Sequence, residues 1–252
     1  MKIIISPAKK LDINTASTHK STKACHLYHS ELLVKILKKY DIKKLAKLMG
    51  ISMNLAQLNL ERYQDWNLPF DLDLAKQAIF LFQGDVYKGM EAHTFSKKEL
   101  DFAQSHLRIL SGLYGILKPL DLIMPYRLEM GTKLTNQRGK NLYDFWNRII
   151  TDHLIGEMKS DEPLVNLASN EYSKSIDFKS LNKNPIITPI FKDFKNGKLK
   201  IISFFAKKAR GRMCNYIIRN QLTHIDDLLN FNQDGYSFYE EGSTKFQPVF
   251  AR

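Results

Sequence analysis

Four groups in the chain could do chemistry: Asp85 in "QGDVY", and Tyr126, Arg127 and Glu129 in "KPLDLIMPYRLEMG". A guanidinium such as Arg127 forks onto planar oxyanions, and the neighbouring tyrosine ring can stack on a nucleobase. Asp85 or Glu129 could serve as a general base if burial raised its pKa. The same residues could equally form an ion-pair network that fixes an irregular, proline-punctuated loop, and the residue types leave that choice open. Other polar groups directly follow apolar segments: Ser6, Lys9 and Lys10 after "KIII", Gln83 and Tyr87 around Asp85, Ser111 and Tyr114 after "LRIL", Asn170 and Glu171 after "LVNLA". In α/β sheets ligands settle where strand carboxyl ends open into loops. Ser6, Lys9, Lys10, Gln83, Asp85, Tyr87, Tyr126, Arg127 and Glu129 are therefore expected to line one cleft, with no defined catalytic set among them.

Two basic stretches suit phosphate. In "LAKLMGISMNLAQLN", residues 45–59, Leu45 and Leu48 mark one helix, Gly50-Ile51 a bend, and Leu55 with Ala56 a second helix capped by Ser52. The spacing resembles the helix-hairpin-helix module, in which amides at the bend and the positive end of the second helix hold one backbone phosphate. Met49 replaces the module's usual proline and Ser52 its second glycine, and an ordinary helical corner is the alternative. Lys43, Lys44 and Lys47, with Lys35, Lys38 and Lys39 upstream, are opposed nearby by Asp41 alone. Gly50, Ile51 and Ser52 are thus the expected grip, flanked by Lys43, Lys44 and Lys47. "AKKARGRMCNYIIR" adds Lys207, Lys208, Arg210 and Arg212; on a helix Lys208, Arg212 and Arg219 share a face, and Gly211 marks a kink or a close contact. Four to six neutralised phosphates predict a log affinity against log salt slope of about −4 to −5.

Positioning these groups requires a mixed α/β scaffold. Five short apolar segments read as buried strands ending in loops: "KIIIS", "AIFLF", "LRIL", "LVNLA" and "KIISFF". Residues 31–60, 140–159 and 207–230 read as helical, with Phe145, Trp146, Ile149, Ile150 and Leu154 on an apolar stripe. Asn196-Gly197 between alternating segments predicts a two-residue β-hairpin, so the sheet is mixed, with flanking helices. No repeat or long linker divides the chain. One compact domain over 1–252 is expected, with the hairpin element at about 41–60.

Composition narrows the function classes. The chain has 252 residues and 38 Lys plus Arg against 26 Asp plus Glu, a formal net charge of +12 that concentrates polyanions. No apolar run reaches the roughly 18 residues that cross a bilayer, and no signal peptide is read at the start. Cys25 and Cys214 give no disulfide framework, which points to a reducing, cytoplasmic setting. "CHLYH" brings Cys25, His26 and His29 together, but no second ligand cluster accompanies it and a basic surface repels cations. No metal, cofactor, membrane or protein partner is expected.

"IISPAKKLD", "QGDVYKGM", "LRILSGLYGILKPLDLIMPYRLEMG", "NLASNEYSKSI" and "IISFFAKKARGRM", in this order, resemble the YaaA family of bacterial peroxide stress proteins. The resemblance implies a single α/β domain of unusual topology, a positively charged cleft, a helix-hairpin-helix element and binding to double-stranded DNA. It also implies a cytoplasmic role in hydrogen peroxide stress, in which free iron is kept low and oxidative damage to DNA and protein is limited. A backbone binder of low sequence specificity is therefore the first expectation, with bent or damaged duplex preferred if the cleft favours a deformed path. The alternative is an enzyme acting on a nucleobase or nucleotide in the same cleft.

Overall fold

Ile3, Ile4 and Ile5 are all fully buried, so β1 (Lys2–Ile5) must be covered on both faces. It is the middle strand of a five-stranded sheet that also contains β6 (Leu107–Ser111), β7 (Gly115–Leu117), β9 (Leu164–Asn166) and β10 (Ile186–Ile187). The order is β10-β9-β1-β6-β7, parallel except for the antiparallel β6/β7 pair. The computed structural model describes residues 1–15, 20–71 and 73–252.

A second sheet has the order β12-β11-β14-β13, from β11 (Ile190–Lys195), β12 (Lys198–Lys200), β13 (Ser237–Thr244) and β14 (Gln247–Ala251). Asn196 and Gly197, at φ of 53° and 71°, join antiparallel β11 and β12. Phe191 of β11 and Phe250 of β14 stack, and Phe231 from outside the sheet meets both edge-to-face. Two smaller pairings brace the surroundings: β2 (Lys10–Leu11) with β5 (Phe82–Gln83), and β3 (Thr22–Lys23) and β4 (Lys76–Gln77) on either side of β8 (Asp121–Ile123).

The helices are α1 (Leu27–Leu37), α2 (Ile42–Met49), α3 (Met53–Asp65), α4 (Ala78–Leu81), α5 (Asp85–Met90), α6 (Lys97–His106), α7 (Leu142–Glu157), α8 (Asn170–Ser173) and α9 (Ser203–Arg219). Phe145, Trp146, Ile150 and Leu154 of α7 are buried, and the Trp146 indole donates to the Gly112 carbonyl at 2.9 Å. No helix among the described residues is long and apolar enough to cross a membrane.

Two of the five expected strands are corrected. "AIFLF" is mostly the single turn α4, with only Phe82 entering β5. Ala78, Ile79 and Leu81 are buried, and a short, wholly apolar run has no period to separate strand from helix. "KIISFF" is likewise split: β12 ends at Lys200 and α9 begins at Ser203 with Phe204 exposed. The helix expected over 207–230 stops at Arg219, and Asp226–Asn230 forms a separate 3-10 turn.

Candidate functional site

Because β1 and β9 are parallel neighbours, the loops that follow them leave the sheet at the same end. Ser6 Oγ accepts from the Ser169 amide at 2.9 Å and donates to Ser169 Oγ at 3.2 Å. The Tyr87 hydroxyl donates to the Ser6 carbonyl at 3.1 Å, which fastens α5 over the strand ends. β2 and β5 pair Lys10 with Gln83 at the rim. The result is a cleft of about 410 Å³ that brings together Ser6, Lys9, Lys10, Gln83, Asp85, Tyr87, Tyr126, Arg127 and Glu129. The volume lies in the range of small-molecule sites.

Inside the cleft, the partners of these groups sort them. Glu129 lies 3.0 Å from Lys9 Nζ and 2.8 Å from Arg127 Nη2, so its carboxylate bridges two cations. That is the ion-pair reading of the loop. The Tyr126 hydroxyl is buried against Ser111 Oγ at 2.7 Å, and burial pushes its phenol far above the usual range. Both groups are thus engaged with protein partners. Asp85, the first residue of α5, carries no ion pair among the described residues. The Arg127 carbonyl accepts from the Tyr63 hydroxyl of α3, while the buried Arg127 Nε lacks a hydrogen-bond partner among the described residues.

α9 presents two faces with different fates. Gly89 and Gly211 let α5 and α9 touch backbone to backbone: a Cβ on Gly211 would stand 1.9 Å from the Val86 carbonyl oxygen, and one on Gly89 2.2 Å from that of Lys208. Gly211 therefore marks the close contact, inside an unbroken helix. This docking turns Lys207 and Arg210 into the cleft. Arg210 is largely buried, which lowers its pKa, and it has no carboxylate partner among the described residues. Lys208 and Arg212 instead pair with Asp234 at 2.9 and 3.4 Å, and Arg212 with Glu91 at 2.6 Å. Arg219 reaches Glu99 at 3.4 Å. The face that the sequence suggested for phosphate is neutralised by acids from distant segments.

The helical hairpin bounds the other side. Leu45 and Ala56 are fully buried where α2 meets α3, and Gly50 closes α2 at φ 61° and ψ 45°. Asp41 Oδ1 accepts from the Lys44 amide at 2.7 Å, and Ser52 Oγ from the Leu55 amide at 3.4 Å. The Gly50 and Ile51 amides both donate to the Ala46 carbonyl, so the bend closes on itself. An anion here would meet the remaining amides at Ser52, Met53 and Asn54 and the lysines beside them.

Those lysines border a groove of about 730 Å³ lined by Lys44, Lys47, Gly50 and Lys133. Glu129 and Glu171 line both this groove and the strand-end cleft. The Glu171 carboxylate accepts from the Gly131 amide at 3.0 Å, which fixes the shared wall. Lys43, exposed on α2, lines neither hollow. Lys133 and Tyr172 escaped the sequence reading; Lys133 lies just past "PYRLEMG", the only signal that could have included it.

Residues 1–242 match the family model described as "Peroxide stress protein YaaA". A UPF0246 protein of Shewanella sp. (strain W3-18-1) is 51% identical over 256 residues, covering 100% of this chain and 99% of the relative. UPF0246 proteins of Pseudoalteromonas translucida (strain TAC 125) and Saccharophagus degradans are each 52% identical, again over 100% of this chain and 98% and 99% of theirs.

Proposed function

The chain belongs to the peroxide stress protein YaaA family, and we propose that it binds the backbone of double-stranded DNA along its adjoining grooves, with little sequence preference. The observation that carries this reading is that the hairpin groove and the strand-end cleft adjoin across a common wall, Glu129 and Glu171, so that their basic linings lie side by side. Lys10, Lys47, Lys88, Lys133, Lys207 and Arg210 line the two hollows without an ion pair among the described residues. Free cations without sequence-reading geometry hold phosphates and position a duplex; they do not choose bases. If the path across the two hollows is not straight, a bent or damaged duplex follows it at lower deformation cost than straight DNA. In the cell this binding serves a cytoplasmic response to hydrogen peroxide that limits oxidative damage to DNA and protein and accompanies lowered free iron.

Filter binding across a salt series tests the reading. Six phosphate contacts give a slope of about −5 in log affinity against log salt. Affinity that does not change between low and moderate salt ends the proposal.

A second reading rests on Arg210 and on Arg127, whose Nε has no hydrogen-bond partner among the described residues; together they give the inner cleft two guanidinium groups beside the Tyr87 and Tyr172 rings. That set suits one nucleotide, held for binding or for chemistry. Thermal shift with free nucleotides separates the two: stabilisation by a mononucleotide favours this reading, and its absence leaves the backbone clamp.

A further inference from the structure

At the amino ends of β1 and β6, away from the cleft, lies a separate cavity of about 460 Å³ lined by Lys2, Cys25, Arg108, Lys118, His153 and Glu157 among others. Here the segment leading into α1 meets the last turns of α7. The His26 and His153 rings stand 5.1 Å apart, and Cys25 Sγ lies 3.7 Å from His153 Nδ1. One candidate ligand atom from each of Cys25, His26 and His153 falls within 4.8 Å of the other two. Nε2 of His26 is buried without a hydrogen-bond partner among the described residues, where buried polar atoms ordinarily have one.

We propose that Cys25, His26 and His153 form a three-ligand site for a borderline-soft divalent metal ion, with Zn²⁺ as the representative occupant and a fourth position open to the cavity. Tetrahedral Zn²⁺, with Zn–S of about 2.3 Å and Zn–N of about 2.0–2.1 Å, separates its sulfur and nitrogen ligands by roughly 3.6 Å. The Cys25–His153 spacing already matches this. One thiolate and two imidazoles disfavour the hard, oxygen-seeking cations and suit Zn²⁺ or its neighbours in the first transition row.

A support for the site is also built. Nε2 of His153 stands 3.4 Å from Glu157 Oε2, close enough to pair with the carboxylate though outside hydrogen-bond geometry among the described residues. Glu157 is in turn held by Arg108 at 2.6 Å and by Lys118 at 3.1 Å. A carboxylate behind a ligating histidine sets the ring's orientation and raises its basicity. Exposed Cys25 gives the ion an entry path from the cavity. The sequence holds two of the three ligands in "CHLYH" and led to no metal being expected for want of a second cluster; the fold supplies His153. His29 leaves the set, because its Nδ1 lies 3.0 Å from Arg138 Nη2 and a guanidinium can only donate.

Titration of the reduced, metal-free full chain with Co²⁺, followed by Zn²⁺, tests the assignment. One equivalent of Co²⁺ should produce tetrahedral d–d bands and a sulfur-to-cobalt charge-transfer band, and Zn²⁺ should erase both. Cys25→Ser, an exposed substitution, should abolish the charge-transfer band with circular dichroism unchanged. His153→Ala should weaken uptake at least as much, and Glu157→Gln by about 10- to 100-fold. His29→Ala should retain the spectrum. Absence of saturable uptake at one equivalent, or an unchanged spectrum in folded Cys25→Ser, overturns the proposal.

Discussion

Removing two cations from one face of α9 should have a different effect from removing two from the other. Lys207→Ala with Arg210→Ala strips the face that lines the cleft; Lys208→Ala with Arg212→Ala strips the face paired with Asp234 and Glu91. Both double variants lose two positive charges from the same net +12, so any effect of overall charge is identical. Only the local geometry differs. If six cations touch phosphates, log affinity falls with log salt at a slope of about −5.4, and the cleft-face variant should show about −3.6. Between 50 and 200 mM salt that is a loss of roughly a thousandfold in the parent protein and roughly a hundredfold in the variant, from the same 0.9 per contact. The paired-face variant should keep the parental slope. Filter binding with one duplex at four or five salt concentrations resolves a difference this large. Equal slopes in the two variants would refute the groove assignment, because charge would then act at a distance and not by contact.

Gly211→Ala should destabilise the protein. Its new methyl would force α5 and α9 apart, at a typical cost of about 1–3 kcal/mol for overpacking, against about 1 kcal/mol gained in helix propensity. Urea unfolding should show a net loss, and a variant as stable as the parent would contradict the backbone contact. Asp234→Asn tests the paired face through pH. Burial pushes the Asp234 carboxyl up, but Lys208 and Arg212 outweigh it and hold the pKa below the ordinary value. A depressed folded pKa contributes stability that is present above the unfolded value near 4 and is lost as pH falls below it. The parent should therefore exceed the variant at pH 7 by no more than about 1 kcal/mol, given the exposure of the pairs, and the gap should close in acid. A gap that widens in acid reverses the sign and rejects the assignment. Tyr126→Phe removes the hydrogen bond to Ser111 and should cost about 1 kcal/mol of stability while leaving the DNA salt slope unchanged. A large loss of DNA affinity without a stability change would make Tyr126 a contact residue.

Local rules made parts of this molecule legible. Gly50 takes the left-handed angles that end a helix, Ser52 sits at an N-cap, and residues that follow strands gather at one cleft, since parallel β1 and β9 must open at the same end. The chemistry of the cleft was less legible, because it depends on partners remote in sequence. Nothing near Arg212 announces Asp234 or Glu91, and nothing near Tyr126 announces that Ser111 will take its hydroxyl. The bend shows the same limit at shorter range: its spacing suggested free amides, but the Ala46 carbonyl takes both Gly50 and Ile51. Apolar runs without a period, such as "AIFLF", left helix and strand undecided until packing chose.

The two hollows lie at opposite ends of the same strands, and this separates their tests. Ser6 leaves the carboxyl end of β1 into the cleft, while Lys2 at its amino end borders the cavity with Cys25 and His153. Ligands of open α/β sheets collect at the carboxyl ends, at topological switch points, because loops diverge there. The amino-end cavity has no such origin; it exists because the start of α1 and the end of α7 happen to cross beside β6. Cys25→Ser should accordingly remove metal uptake while leaving the DNA salt slope untouched, and Lys207→Ala with Arg210→Ala should do the reverse. Were either substitution to alter both readouts in a folded protein, the strands between the hollows would have to transmit the change, and a single coupled site would replace two independent ones.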